Sequence, residues 1–307
     1  MKTQKVILFL SVIVLGIYTK TYAQSDSIRI MQHLKTITKT VGYRNYKNIP
    51  LLNQTAEYIF SVFRQYADTV YYQPYHVNGA TYKNVVCRLG SANQKPLVVV
   101  GAHYDVCGNQ EGADDNASGV VGLLELVRLL SIEKLNYPVE FVAYSLEEPP
   151  FFRTKYMGSY IHAKSLSDAR TPVFGMVALE MIGYFDDRTK SQTYPVKVMK
   201  VAYGRTGNFI LLVRNTGAGE FVKKFVSAFN DDATIDTHNF KAPAKIEGID
   251  FSDHLNYWKF NYDALMVTNT AFYRNRNYHQ TSDTMKTLDV SKMMKVIDTT
   301  ASAIKKL

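Results

Sequence analysis

Residues 97–130 read LVVVGAHYDVCGNQEGADDNASGVVGLLELVRLL. The run Leu97 to Gly101 is short, β-branched and continuously apolar, and His103 and Asp105 stand just beyond it. A strand of that kind is covered on both faces, as in a sheet enclosed by helices. A polar loop then leads into an apolar helical pattern from Ala117 to Ile132, with Asp114 and Asp115 at its start. Strand, loop and helix in that order make one unit of an alternating α/β fold.

The same rhythm recurs on both sides of this stretch. Asn84 to Arg88 (NVVCR), Val139 to Tyr144 (VEFVAY), Met176 to Leu179 (MVAL) and Ala264 to Thr268 (ALMVT) are further short apolar runs, and Thr69 to Tyr75 is strand-like. Between them Met157 to Ser167, Glu220 to Asn230 and Ser252 to Phe260 read as helices. Apolar positions at three- and four-residue spacing predict helix over about 27–66. The alternation predicts a three-layer α/β/α sandwich with a mixed, largely parallel central sheet. No repeat, linker or low-complexity tract interrupts residues 24–307, which are expected to form a single domain.

A chain of 307 residues that is 46% hydrophobic and 21% charged excludes a disordered or collagen-like protein. Two cysteines, Cys87 and Cys107, exclude a disulfide-dense scaffold and a cysteine-built zinc finger or ribbon, so any metal site is expected to be built from His, Asp and Glu. They stand near the ends of adjacent predicted strands, so a disulfide and two separate thiols are both open. The first 23 residues have the three-part pattern of a signal peptide. Lys2 and Lys5 precede an apolar run from Val6 to Tyr18, and Ala23 closes the segment. That run is short of the roughly 20 residues that span a bilayer. No cysteine follows to carry a lipid, so the expectation is an exported protein, periplasmic or secreted, with no stable membrane association. Loss of Lys2, Lys5 and Lys20 with this segment lowers the formal charge of +9 by three. The remaining surplus is spread along the chain and does not point to nucleic acid.

Side chains able to bind metal gather at the strand ends. His103 and Asp105 follow one run, Glu147 and Glu148 another and Glu180 a third, and His279 lies beyond Ala264 to Thr268. Asp114 and Asp115 are also good capping residues, because a carboxylate accepts free N–H groups at a helix start. Like charges clustered on the rim of a buried sheet are costly unless a cation neutralises them. Carboxylates mixed with imidazoles, without thiolates, suit catalytic zinc, with Mn²⁺ or Co²⁺ as substitutes. Two histidines and three carboxylates exceed the three protein ligands of one open zinc site, and they fit two ions about 3.5 to 4 Å apart. Of Glu147 and Glu148, one is then free to move protons, and Asp105 is placed to orient an imidazole.

The strings GAHYD (101–105), GADDNASGV (112–120), SLEE (145–148), ALEMIGY (178–184), SDH (252–254) and YHQTSDT (278–284) resemble, in order, those of the exported co-catalytic di-zinc aminopeptidases. That family includes bacterial leucyl aminopeptidases and is related to glutamate carboxypeptidase and glutaminyl cyclase. The resemblance extends from about residue 84 to 285. It implies that Asp115 bridges two zinc ions, with Asp114 as the fallback. His103 and Glu180 would complete one ion, and Glu148 and His279 the other. Glu147 would be the general base, Asp105 would hold His103, and a peptide with a free amino terminus would be the substrate.

Three positions depart from the family pattern. Glu180 stands where Asp is common, and Ile249 where some members place a Tyr that steadies the oxyanion, leaving Tyr273 or an ion for that task. EEPPFFRTKYMGS (147–159) replaces a Gly-rich stretch, and Phe151 and Phe152 are expected as an apolar wall beside Glu147. The competing readings are a glutaminyl cyclase-like aminoacyltransferase with one zinc and a metal-free binding domain of the same fold. The complete ligand set favours the hydrolase. HExxH, GxSxG and Gly-x-x-x-x-Gly-Lys-Ser/Thr motifs are absent. Ser252 and His254 are expected to cap a helix near the site.

Overall fold

The computed structural model describes residues 24–307 except 68, 91–94 and 197. Along the described residues the elements are α1 (Ser27–Thr38), α2 (Ile49–Phe63), β1 (Thr69–Val77), β2 (Ala80–Leu89), β3 (Leu97–His103), α3 (Gly119–Leu130), β4 (Val139–Tyr144), α4 (Gly158–Asp168), β5 (Val173–Glu180), α5 (Met199–Tyr203), β6 (Ile210–Asn215), α6 (Glu220–Asp232), β7 (Thr237–Ala242), α7 (His254–Lys259), β8 (Ala264–Thr268) and α8 (Val290–Lys305).

Within β3, Val98 and Val100 enter one apolar core and Leu97 and Val99 the other. The alternation repeats in β5, where Val177 and Leu179 face the first core and Met176 and Ala178 the second. A strand with a core on each side has no solvent face, which explains runs that are apolar throughout. The first core receives α1, α2, α3, α6 and α8, and α4 and α7 cover the opposite face. Between these layers lies a mixed eight-stranded sheet in the order β1-β2-β4-β3-β5-β8-β6-β7. Its centre, β4-β3-β5-β8, is parallel, while β1, β2 and the β8–β6 junction pair antiparallel. The expected three-layer architecture is the one observed.

The chain leaves β3 through α3 to reach β4 on one side, then crosses through α4 on the other face to β5 on the far side of β3. This reversal makes the carboxyl end of β3 a topological switch point, where open α/β sheets leave a crevice. Gly101 allows the close packing beside it, because a Cβ there would lie 2.2 Å from the Tyr144 ring.

The helical stretch expected over about 27–66 resolves into two helices. α1 ends at Thr38, Gly42 takes φ +96°, and α2 restarts where the Asn48 side chain accepts the Leu51 N–H, with Pro50 in the first turn. An Asn cap followed by Pro is a helix-start signal. The strands β6 and β7, of which β7 forms the sheet edge, and the helices α5 and α8 are additions to the expected set. Cys87 is buried in β2 and Cys107 lies on the loop after β3, and neither is in a disulfide. The signal segment 1–23 lies outside the described residues. Among the described residues no helix is long and apolar enough to cross a membrane.

Candidate active site and metal centre

β3 ends on His103 and β5 on Glu180, so these side chains emerge from neighbouring parallel strands. Glu147 and Glu148 follow β4 on the other side of β3, after Leu146, which turns the chain with φ +61°. Met181 and His279 also adopt positive φ, +51° and +57°. Left-handed backbone in non-glycine residues costs about 1–3 kcal/mol each and persists where surrounding structure enforces it. All three lie at, or one residue from, the side chains in question.

The turn Ala113–Ser118 between β3 and α3 separates the two neighbouring aspartates. It starts after Gly112 at φ +56°, where a Cβ would lie 2.2 Å from the Asp115 carbonyl oxygen. Asp115 itself leaves helical geometry at φ −104°, ψ 95°, which turns its carboxylate toward the histidines. Its Oδ1 lies 3.4 Å from His103 Nε2 and its Oδ2 3.2 Å from His279 Nε2. Asp114 points elsewhere. Its carboxylate accepts the Gly183 and Tyr184 N–H groups at 2.9 and 3.0 Å and the Asn269 and Asn275 amides at 2.8 Å each. The geometry therefore favours Asp115 over the fallback Asp114 at the centre of the cluster.

Around Asp115 the remaining residues converge. His103 Nε2 is 3.5 Å from Glu180 Oε2 and 3.8 Å from Glu147 Oε2, and His279 Nε2 is 3.1 Å from Glu148 Oε2. Asp105 does more than face His103, whose Nδ1 lies 3.5 Å from its Oδ1. Its two carboxylate oxygens also accept the backbone N–H groups of Glu147 and Glu148, each at 3.1 Å. One buried carboxylate thus ties the end of β3 to the end of β4.

The electrostatics of this pocket call for positive charge. Burial, opposed by His103 but reinforced by Glu148 and Glu180, lifts the Glu147 carboxyl well above its ordinary range. Burial and then Asp115 push Glu148 up to about 8, and burial also raises Glu180. Burial works against a charged His279, yet Asp115 and Glu148 raise it to about 10. For His103, Glu147 and Glu180 outweigh burial in the same way. Without a cation, protons must take its place.

Hydrogen bonding tests the fit of a metal. Asp115 Oδ2, Glu148 Oε1 and His279 Nε2 are buried and have no hydrogen-bond partner. A buried polar atom left unpaired costs about 1–3 kcal/mol, so three together suit a cation. Among the described residues, His103, Asp115 and Glu180 offer donor atoms within 4.8 Å of one another, as do His103, Glu147 and Glu148, and Cys107, Glu148 and His279. Imidazole with carboxylate is a zinc-type donor set.

Several supporting groups went unread in the sequence. Ser252 donates to Glu180 Oε2 at 2.7 Å, and Asp283 accepts the N–H groups of Asp114 and Asp115 at 2.9 and 3.0 Å. Arg44, only 2% exposed, donates to the Tyr104 and Gly112 carbonyls at 2.7 and 2.6 Å and to that of Glu111. Ser252 precedes α7 as expected, but its hydroxyl serves Glu180; no side-chain cap bond holds the start of α7. His254 is buried neutral, its Nε2 2.7 Å from the Ile249 carbonyl and its pKa lowered by burial to about 4. Only one of the two expected wall residues faces the cleft. Phe152 lines it, with Phe251, Phe272 and Tyr278, while Phe151 is buried against Tyr46 and Tyr156. Tyr273 lines an adjoining pocket with Leu211, Val213 and Met266, and the two spaces share Glu180, Phe251, Ala271 and Phe272.

A histidine–carboxylate centre at the switch point of a parallel-centred sheet defines an α/β metallohydrolase. The chain belongs to peptidase family M28, whose sequence profile matches residues 84–304, and is a zinc metallopeptidase. It is 44% identical over 273 residues to the uncharacterized protein YfbL of Escherichia coli K12, covering 86% of this chain and 83% of that protein. It spans about half the length of the fungal leucine aminopeptidases it matches at 28% identity. In fold it is similar to LapA of Legionella pneumophila, with a TM-score of 0.72 at 19% identity over 91% of this chain and 72% of that one. It is also similar to a glutaminyl cyclase of Bacteroides thetaiotaomicron, with a TM-score of 0.67 at 16% identity over 94% of this chain and all of that one.

Proposed function

We propose that this protein is an exported aminopeptidase that hydrolyses the peptide bond at a free amino terminus. In this reading residues 1–23 are a cleaved signal and residues 24–307 the single catalytic domain. The observation that carries the proposal is the convergence of His103, Asp115, Glu148, Glu180 and His279, with unpartnered donor atoms, beside a free carboxylate, Glu147. His103, Asp115 and Glu180 would hold one zinc ion, and Asp115, Glu148 and His279 a second. Zinc bound there supplies Lewis-acid polarisation of the scissile carbonyl and makes water more acidic.

Glu147 acts as the base. Its carboxylate takes one proton from the water whose oxygen bonds to the carbonyl carbon. When the C–N bond breaks, that proton passes to the leaving nitrogen, releasing a free amino acid and a shortened peptide. Asp105 is a positioning residue, because its hold on both Glu147 and Glu148 N–H groups fixes where the base lies relative to the ligands. The aromatic rim of Phe152, Phe251 and Phe272 excludes water, and the apolar pocket beyond Glu180 receives the substrate's first side chain.

The test is zinc per chain together with hydrolysis of Leu and Ala p-nitroanilides and cyclisation of amino-terminal Gln peptides. Two ions per chain and chelator-sensitive anilide cleavage are expected. One ion with cyclisation of Gln would instead make it a glutaminyl cyclase-like transferase, and activity surviving exhaustive chelation would refute both.

A further inference from the structure

The ligand sets proposed above leave one sulfur beside them without a task. Cys107 is half-buried on the loop after β3, and its Sγ, a Glu148 oxygen and a His279 nitrogen all lie within 4.8 Å of one another. The loop is held on both sides of the cysteine. Arg44 binds the carbonyls of Tyr104 and Gly112, its own carbonyl accepts the Val106 N–H at 3.3 Å, and Asn45 Nδ2 donates to the Gly108 carbonyl at 2.7 Å. The sulfur is therefore placed by the fold. Facing it, Glu148 is 4% exposed with Oε1 unpaired, and His279 Nε2 is also without a hydrogen bond. The other cysteine, Cys87, is fully buried among apolar side chains.

We infer that Cys107 supplies a thiolate ligand to the ion that Glu148 and His279 would hold, an inference that rests on the metal reading of this site. Zinc bonds of about 2.0 Å to nitrogen or oxygen and about 2.3 Å to sulfur place tetrahedral donors roughly 3.3–3.8 Å apart. Donors already within 4.8 Å reach that spacing by each moving less than about 1 Å. A thiol on such an ion gives up its proton. With Asp115 the set becomes four protein donors, which is the closed arrangement of a tightly held ion. The ion of His103, Asp115 and Glu180 has three, which leaves a position open. The two ions are then unequal by construction.

The test strips the full chain of metal and reloads it with Co²⁺, comparing wild type with Cys107→Ser by absorption spectroscopy. Visible ligand-field bands in both, with a near-ultraviolet sulfur-to-cobalt charge-transfer band only in wild type, are expected. Removing a residue that merely supports a ligand costs about 10- to 100-fold in metal affinity, so Cys107→Ser is expected to bind one zinc ion at least tenfold more weakly. Iodoacetamide labelling of wild type gives a readout that needs no variant. Cys107 reacts slowly in the metal-free protein, because burial and the facing carboxylates push its thiol up to about 12, so labelling is run at about pH 9 over hours; zinc protects Cys107 further, while Cys87 reacts only after unfolding. Ligand-field bands without the charge-transfer band, or labelling of Cys107 at the same rate with and without zinc, overturn the inference and leave the metal site standing. Absence of any ligand-field band in wild type overturns the metal reading itself.

Discussion

Changing a carboxylate to an amide at each of two adjacent positions separates holding the fold from holding metal. Asp114 is buried, and its two oxygens accept hydrogen bonds from the Gly183 and Tyr184 backbone, from the Asn269 and Asn275 side chains and, at 3.4 Å, from the Ser118 hydroxyl. Asp114→Asn keeps one accepting oxygen and turns an NH₂ group onto two of these donors. Two buried donors without acceptors cost about 1–3 kcal/mol each, and removing a buried charge offsets part of that. The net expectation is a loss of about 2–4 kcal/mol. At Asp115 the loss of charge facing His103 and His279 is offset by relief of its repulsion with Glu148 and Glu180, so Asp115→Asn should change the metal-free fold by less than about 1 kcal/mol. The assay is urea unfolding of both zinc-free variants, alongside zinc per chain after dialysis. Asp114→Asn should be less stable yet retain zinc under native conditions, whereas Asp115→Asn should keep its stability and lose zinc. A full zinc complement in Asp115→Asn, or zinc loss with unchanged stability in Asp114→Asn, would refute the assignment of the two residues.

Glu147→Gln should keep its zinc and lose about 10²- to 10⁴-fold in turnover, the usual share of a general base; near-normal kcat would remove Glu147 from the mechanism. Val213→Phe, which fills the pocket beside Met266, should lower kcat/KM for a Leu p-nitroanilide by about 10-fold or more while leaving Ala within a few-fold. An equal loss on both substrates would show that the first side chain binds elsewhere. His33, with Nδ1 2.6 Å from the Tyr58 hydroxyl, is held by burial at about 4 rather than 6.5. Its folded pKa is the lower one, so its contribution is present above about 6.5 and is lost as pH falls towards about 4, amounting to about 3 kcal/mol. Urea midpoints at pH 7.5 and 4.5 should therefore diverge less in His33→Asn than in wild type, and equal divergence would exclude His33 as a source of acid sensitivity.

The legible parts of this protein are those whose cause is local. Val98 and Val100 face one core and Leu97 and Val99 the other, so burial on both faces leaves its mark within four consecutive letters. Because β4, β3, β5 and β8 are parallel, their carboxyl ends share one rim, and His103, Glu147, Glu148 and Glu180 are brought together by strand direction alone. Strand order has no such mark, since nothing in VEFVAY says that it lies between β2 and β3. β7 pairs only with β6 and is half-exposed along its length, so THNFKA carries no apolar run. α8 is a different case: Met293, Val296, Ile297, Ala301 and Ile304 keep helical spacing behind an Asp289 cap, so its signal is local and present in the sequence. The choice between Asp114 and Asp115 shows where local reading ends. Both suit a helix start, and their roles part only because Asn269, Asn275 and Gly183, from distant segments, meet one carboxylate while two histidines meet the other. Asp283 and Arg44 follow the same rule, because a buried charge that braces a loop is defined by the carbonyls or N–H groups that folding sets against it. Donors that converge on a metal can thus be read from strand ends, whereas the groups that aim those donors depend on which distant segments the fold brings alongside.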